Sequence, residues 1–200
     1  MPATSAPFGL RPAFHPSGLD RAQALANGIQ AVSTSGNVSA GYATNILKGQ
    51  PVKMDTGGFI VVAGAGDAFL GAFAGCEWTD STGRRRVSNY WPANESFLVG
   101  SNIAYFYSDP NIVYEIQMDG TITQAAIGAE ADLSNTTNGS TTTGLSQATL
   151  SISVVSSPST AQMRIVDIAP YPDNAWGDTF VIVRATIAEY QFAGVAGTAL

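Results

Sequence analysis

The sequence predicts an all-β protein with a small β-barrel lobe, a second lobe that is a β-sandwich or barrel, and an extended N-terminal arm. From residue 29 onward, short apolar segments alternate with turn residues, as is typical of strands. Glycines interrupt several of these apolar runs, as in GDAFLGAFAGCEW. Such glycines mark bulges or close backbone approaches, and short kinked strands are what a small closed barrel needs.

Residues 1–28 are predicted to form the arm. The stretch APFGLRPAFHPSG, residues 6–18, contains three prolines, which interrupt helices and the central strands of sheets. The next segment, LDRAQALANG, is predicted to be a short helix, because Asp20 is a suitable N-cap and Asn27-Gly28 a suitable stop.

Residues 29–96 are predicted to form the small barrel with one long loop. Strand patterns occur in IQAVS, YATNILKGQPVKM, FIVVAG and GDAFLGAFAGCEW. Residues 79–96, TDSTGRRRVSNYWPANES, are predicted to be the long loop.

Residues 97–192 are predicted to form the second β lobe. In NIVYEIQMDGTI, Tyr114 and Ile116 share one face and Glu115 lies on the other, which is the alternation of a strand. Residues 131–148, rich in Ser, Thr, Asn and Gly, are predicted to be a surface loop. Residues 193–200 are expected to be a short tail.

The composition suits either β-structure with many turns or a surface that is largely covered by neighbours, and it does not suit a nucleic-acid binder. Charged residues make up 12 % of the 200 residues, against about 25 % in an average protein. The net charge of −6 is unfavourable for nucleic acid, since that affinity depends on Lys and Arg neutralising phosphates. No apolar run is long enough for a membrane span, so no membrane partner is expected. A single cysteine excludes an intramolecular disulfide and fits assembly in a reducing cytoplasm.

No chemical signature points to an enzyme, a metal site or a cofactor. The only histidine, His15, lies in the arm, and the only cysteine, Cys76, lies in an apolar strand pattern. The segment GAGDAFLG lacks the strand-turn-helix context of a dinucleotide loop. A hydrolase would need two converging carboxylates, and most of the candidates lie in predicted turns: Glu77, Asp80, Glu130, Asp132, Asp167, Asp173 and Asp178.

One basic cluster is followed by aromatic residues. Arg84, Arg85 and Arg86 are a third of all Lys and Arg in the chain, and Tyr90 and Trp91 follow closely. Arginine with aromatic residues is a composition enriched at protein interfaces. An ordinary solvated loop is an equally good interpretation, and a nucleic-acid patch is a weaker one.

The segments FGLRPAFHPSG, ILKGQPVKMDTGGFIVVAGAGDAFLGAFAGCEW, PNIVYEIQMDG and MRIVDIAPYPDNAWGDTFVIVRATI are similar to those of capsid cement, or decoration, proteins of tailed bacteriophages. This resemblance implies a structural virion protein without enzymatic activity. It would be made in the host bacterial cytoplasm and bind in many copies to the outer surface of the head. There it would clamp neighbouring major capsid proteins against internal DNA pressure. Self-association is also implied, with a homotrimer favoured over a dimer.

Two sets of contact residues follow from this interpretation. The arm is expected to lie across an adjacent subunit through Phe8, Arg11, Pro12, Phe14 and His15, so that deletion of residues 1–18 leaves the fold intact. The second set is Arg84, Arg85, Arg86, Tyr90 and Trp91.

Two other classes of function stay open. The first is a head fibre or receptor-binding module, with loops 79–96 and 131–148 recognising host surface glycans. The second is a hydrolase that uses paired carboxylates.

Overall fold

A computed structural model describes residues 4–18, 22–157 and 159–193. Within these residues the protein is all-β, as predicted: it has eighteen strands, β1 to β18 in chain order, one 3₁₀ turn at Gln124–Ala126, and no α-helix.

One antiparallel sheet of five strands carries the larger part of the core. Its order is β1-β11-β18-β17-β12, so the N-terminal strand lies at one edge. The strands are β1 (Arg11–Phe14), β11 (Val113–Gln117), β18 (Ile182–Ile187), β17 (Met163–Ile168) and β12 (Glu130–Ala131).

A second sheet has the order β2-β10-β7-β5-β6, with β8 also pairing with β7. Its strands are β2 (Gln23–Ala26), β10 (Ile103–Phe106), β7 (Gly71–Thr79), β5 (Pro51–Met54), β6 (Ile60–Val62) and β8 (Arg85–Ser88). The edge strands β2 and β6 do not pair with each other, and none of the sheets in the described part of the chain closes into a barrel. The predicted closed barrel is therefore not found.

Three small sheets complete the fold. One has the order β3-β4-β9, and the other two are the pairs β13-β16 and β14-β15. Their strands are β3 (Ala31–Ser35), β4 (Val38–Gly41), β9 (Ser96–Leu98), β13 (Leu133–Ser134), β16 (Thr149–Leu150), β14 (Gly139–Ser140) and β15 (Leu145–Ser146). Both predicted long loops thus contain strand pairing: β8 lies within residues 79–96, and β13, β14 and β15 lie within residues 131–148.

The predicted helix at residues 19–28 is wrong over its described part. Gln23–Ala26 forms β2, which pairs antiparallel with β10, and Leu25 packs against buried residues of the second sheet. Residues 19–21 lie outside the described residues. An isolated helix of two turns is marginal in water, whereas a strand at this sheet edge gains a ladder of hydrogen bonds and an apolar contact.

The buried apolar residues form two clusters. The first lies on the inner face of the five-stranded sheet and includes Tyr114, Ile116 and Val183. The second lies around the aromatic side chains of Trp78, Trp91 and Phe97, and draws its members from residues 29–106. The domain boundaries predicted from the sequence stay a prediction.

Candidate interaction surface

The N-terminal arm is docked on its own chain. The Leu10 side chain is 1 % exposed and belongs to the first core cluster, and the Leu10 N–H donates to the Gly49 carbonyl at 2.7 Å. Gly9 allows this crossing, because it has φ +74° and a Cβ there would lie 2.5 Å from the Gly49 oxygen. Further out, the Ala6 N–H donates to Gln117 Oε1 at 2.9 Å.

Strand β1 extends this docking by pairing antiparallel with β11, with Arg11 opposite Glu115 and Pro12 opposite Tyr114. Proline has no N–H to donate, and an edge strand is where a sheet tolerates it. The arm is thus an edge strand of its own chain rather than a free extension, and its contact with an adjacent subunit stays a prediction. Deletion of residues 1–18 would remove Leu10 from the core, so it is not expected to leave the fold intact.

The docked arm builds a surface of arginine and aromatic side chains, which we call the arm patch. At its centre, Arg11 Nη2 donates to Glu115 Oε2 at 2.7 Å and to the Tyr171 hydroxyl at 2.6 Å. The Tyr171 hydroxyl in turn donates to Glu115 Oε2 at 2.6 Å. The Arg11 guanidinium lies 4.5 Å from the Phe8 ring centroid, and that of Arg184 lies 5.4 Å from the Phe14 ring centroid. The members of the arm patch are Phe8, Arg11, Phe14, Glu115, Tyr171 and Arg184.

Glu115 is the buried anion that organises the arm patch. Burial acts to raise its pKa, but hydrogen bonds from Tyr171 and Arg11 outweigh this, so the pKa lies below its usual value and the carboxylate stays ionised. The hydrogen bond to Glu115 also raises the pKa of Tyr171. Arg184 Nε lies 3.5 Å from Glu115 Oε1, close enough for an ion pair but without hydrogen-bond geometry.

The arm patch continues as a ladder of alternating charge across four strands. Arg11 on β1 lies opposite Glu115 on β11. On its other side, Glu115 lies opposite Arg184 on β18. Arg184 in turn lies opposite Asp167 on β17. Directly opposed residues share one face of a sheet. These four side chains therefore carry no net charge between them.

The arm patch is half open to solvent and yet held in place. Phe14 is 44 % exposed, Tyr171 is 37 % exposed, and the Arg11 side chain is 50 % exposed. Side chains fixed by such bonds lose less conformational freedom on association, which favours binding. Arginine and aromatic residues are also the types that carry most binding energy at protein interfaces.

His15 lies at the end of β1 and is engaged on both ring nitrogens. The Ser17 N–H donates to Nδ1 at 3.0 Å, so Nδ1 is an acceptor and Nε2 carries the proton directed at Asp109 Oδ2, 2.9 Å away. The Asn111 N–H is the main cause of a lowered pKa at Asp109, and His15 adds to it. His15 thus fastens the arm to the turn before β11 and is largely buried.

A groove runs between the arm and the segments around residues 48 and 145. Its volume is about 400 Å³. Its walls are mostly apolar, with two basic side chains: Phe8, Leu10, Pro12, Phe73, Tyr107 and Leu145 form the walls, and Arg11 and Lys48 carry the charges.

The basic cluster lies on the β7–β8 hairpin and is largely neutralised. Arg85 pairs with Glu77 at 2.6 Å, and Arg86 pairs with Asp80 at 2.8 Å. The Thr82 hydroxyl and the Arg84 N–H donate to the Asp80 carboxylate, and these bonds, with that from Arg86, hold its pKa well below its usual value. The three arginines are exposed, as an interface or a solvated loop requires.

Trp91 is a core residue, which corrects its prediction as a contact residue. Its side chain is fully buried, with its ring centroid 5.1 Å from that of Trp78 and 5.5 Å from that of Phe97. The chain turns inward here because Ile46 and Trp91 exchange backbone hydrogen bonds. Tyr90, the preceding residue, is half-buried.

The candidate carboxylates are mostly committed to structural bonds. Glu130 is buried and accepts from Arg164 at 2.5 Å and from the Ser159 hydroxyl at 2.6 Å. Burial acts to raise its pKa, but the hydrogen bonds from Ser159, Arg164 and Ser157 outweigh it and lower the pKa to about 2. Burial, with the nearby Asp132 and Glu130 carboxylates, raises the pKa of Glu189. In the part of the chain that the structure describes, no group of three His, Cys, Asp or Glu side chains could hold a metal ion.

Sequence reasoning missed several residues of the arm patch and of the groove: Leu10, Lys48, Phe73, Tyr107, Glu115, Leu145, Tyr171 and Arg184. They come from distant parts of the chain and meet only through the strand order, so no local motif marks them. The one available signal was the alternation in NIVYEIQMDGTI, which places Glu115 as the single charged residue of its strand.

Comparisons of the chain with protein-family models, with curated proteins and with solved structures gave no match. Across the described residues, no helix has the length and apolar character needed to cross a membrane.

Proposed function

We propose that the protein is a capsid decoration protein of a tailed bacteriophage. It binds the outside of the assembled head in many copies and clamps neighbouring major capsid proteins. The observation that carries the proposal is the arm patch, a preorganised surface on which Arg11, Phe14 and Tyr171 are half-exposed although each is held by its neighbours.

The docked arm changes how such a protein would clamp. The arm is not a free segment that would have to fold on binding. Arg11 and Phe14 lie on an edge strand that pairing with β11 already holds in an ordered conformation. The capsid protein, or a sister subunit in a trimer, would contact the arm patch as a rigid surface. Single contacts of this kind are weak, but repetition over an icosahedral lattice adds them together by multivalency. Binding to the assembled head alone also stabilises the head by mass action.

The first experiment measures the copy number of the protein in purified particles of the phage that carries its gene, by quantitative mass spectrometry against the major capsid protein. Hundreds of copies in a simple ratio to the capsid protein would support decoration. A dozen copies would favour a head fibre, and absence from the particle would refute both.

A matched pair of variants tests the arm patch itself. Phe14→Ser removes an aromatic ring from the arm patch, and Phe192→Ser removes a similarly exposed ring that packs against Tyr190 and is not a member of the arm patch. We expect particles decorated in vitro to retain several-fold less of the Phe14→Ser protein and normal amounts of the Phe192→Ser protein. Equal retention of the two variants would refute the role of the arm patch.

One contact favours the alternative function, glycan binding. Asn89 Nδ2 donates to the Thr143 carbonyl at 3.1 Å, so loops 79–96 and 131–148 meet on the surface. The burial of Trp91 removes the aromatic platform on which a sugar would stack. Binding of the isolated protein to a glycan array would support this alternative.

A further inference from the structure

Lys48 is a basic side chain without an ion-pair partner in the part of the chain described. Six of the lysine and arginine side chains there form ion pairs with carboxylates. Lys48 and Arg84 form none, and of these two only Lys48 lines the groove. In a protein of net charge −6, an unpaired lysine among the residues that line an apolar groove indicates attraction for an anion.

The position of Lys48 in the groove is fixed by its backbone. Its N–H donates to the Gly144 carbonyl at 2.9 Å, and its carbonyl accepts from the Ser146 N–H at 2.9 Å. These bonds hold residue 48 against the loop that carries Leu145, whose side chain is 42 % exposed. The second basic residue of the groove, Arg11, is already paired with Glu115.

The groove thus combines apolar walls with one uncompensated positive charge. We infer that it binds an acidic-apolar segment of a partner protein, with an apolar side chain against Phe8 and Leu145 and a neighbouring carboxylate on Lys48. This inference rests on the proposed function, because it names the chemistry of the capsid segment that the surface would recognise.

The test uses three short synthetic peptides and the full-length protein. One peptide alternates leucine with aspartate, the second alternates leucine with lysine, and the third alternates serine with aspartate. Binding is followed by amide chemical shifts in NMR titrations. We expect the leucine–aspartate peptide to bind most tightly and to shift the amides of Phe8, Lys48 and Leu145.

Two charge reversals provide the matched control. Lys48→Glu replaces attraction with repulsion and should weaken binding of the leucine–aspartate peptide by about tenfold, the effect of losing an exposed ion pair and adding a like charge. Arg84→Glu makes the same change on the β7–β8 hairpin and should leave the affinity within about twofold. Leu145→Ser should weaken binding by about fivefold through the lost apolar contact.

Three results would overturn the inference: no binding of the leucine–aspartate peptide, equal binding of the leucine–lysine peptide, or equal loss of affinity in Lys48→Glu and Arg84→Glu. The particle measurement is independent of these. If the protein decorates heads in hundreds of copies and Lys48→Glu decorates them equally well, the inference fails and the proposed function stands. If the protein is absent from particles, the proposed function fails whatever the peptides do.

Discussion

Truncation of Leu10 tests whether the arm is part of the core. Leu10→Ala removes a side chain that is 1 % exposed and packed in the first cluster. Burying a leucine contributes about 1.5–3 kcal/mol by transfer from water, and the cavity left behind adds to the loss. Leucine-to-alanine changes in cores therefore cost about 2–5 kcal/mol, and we expect a loss in that range.

Leu145→Ala is the matched control, since Leu145 is 42 % exposed. Because the Leu145 side chain is only about half buried, its truncation removes about half of the hydrophobic free energy of a fully buried leucine and leaves no enclosed cavity. We therefore expect the free energy of unfolding to fall by about 1 kcal/mol or less. The free energy of unfolding is measured by urea titration, with the fluorescence of the buried Trp78 and Trp91 and far-UV circular dichroism as two probes. Coincident transitions would justify a two-state treatment.

Hydrogen exchange of the Leu10 amide provides a second readout. This N–H donates to the Gly49 carbonyl, so its protection reports the docking of the arm directly. We expect protection to fall in Leu10→Ala and to persist in Leu145→Ala. Equal free energies of unfolding for the two variants, together with unchanged protection of this amide, would refute the view that the arm is a core element.

Two further predictions concern backbone geometry and pH. Gly71→Ala should cost about 3 kcal/mol or more by urea titration, because φ is +153° and a Cβ would lie 1.7 Å from the Tyr107 carbonyl oxygen. Gly66→Ala, at φ +76° with open space around it, should cost only about 1–2 kcal/mol, and similar losses would contradict the reasoning. For Glu130, the folded-state pKa of about 2 lies below its ordinary value of 4.5, so its contribution to stability is present above pH 4.5 and lost as the pH falls toward 2. Glu130→Gln should flatten this part of the profile of melting temperature against pH, and an unchanged profile would argue against the assignment.

Strand content was predictable from the sequence because it depends on local patterns. The alternation around Tyr114 and the turn residues between apolar segments identify β-structure without knowledge of strand partners. The prediction of a helix at residues 19–28 was wrong because the structure there depends on contacts with distant residues. Its capping signals are local, but Leu25 is placed by pairing with β10 and by packing, which override a weak helical preference.

The surface was less predictable than the strands, because it depends on strand order. Proline spacing indicated an extended arm, but nothing local shows that Leu10 enters the core while Phe14 stays half-exposed. Likewise, the sequence does not distinguish the neighbouring aromatic residues Tyr90 and Trp91. Only the β-bridge between Ile46 and Trp91 shows that Trp91 turns inward.

The charge ladder from Arg11 to Asp167 bears on how binding responds to ionic strength. Arg11 and Arg184 lie 2.7 Å and 3.5 Å from the Glu115 carboxylate, and Asp167 lies opposite Arg184 on the next strand. Neighbouring strands are about 5 Å apart, which is shorter than the Debye length of about 8 Å at physiological salt. Added salt screens such a compensated set only weakly, so contacts made through the arm patch would persist in concentrated salt. The unpaired charge of Lys48 has no such compensation, and a contact that depends on it would weaken steadily as salt is added. If the protein decorates heads as proposed, contacts through the arm patch would hold at every salt concentration, and contacts through Lys48 would form only at low salt.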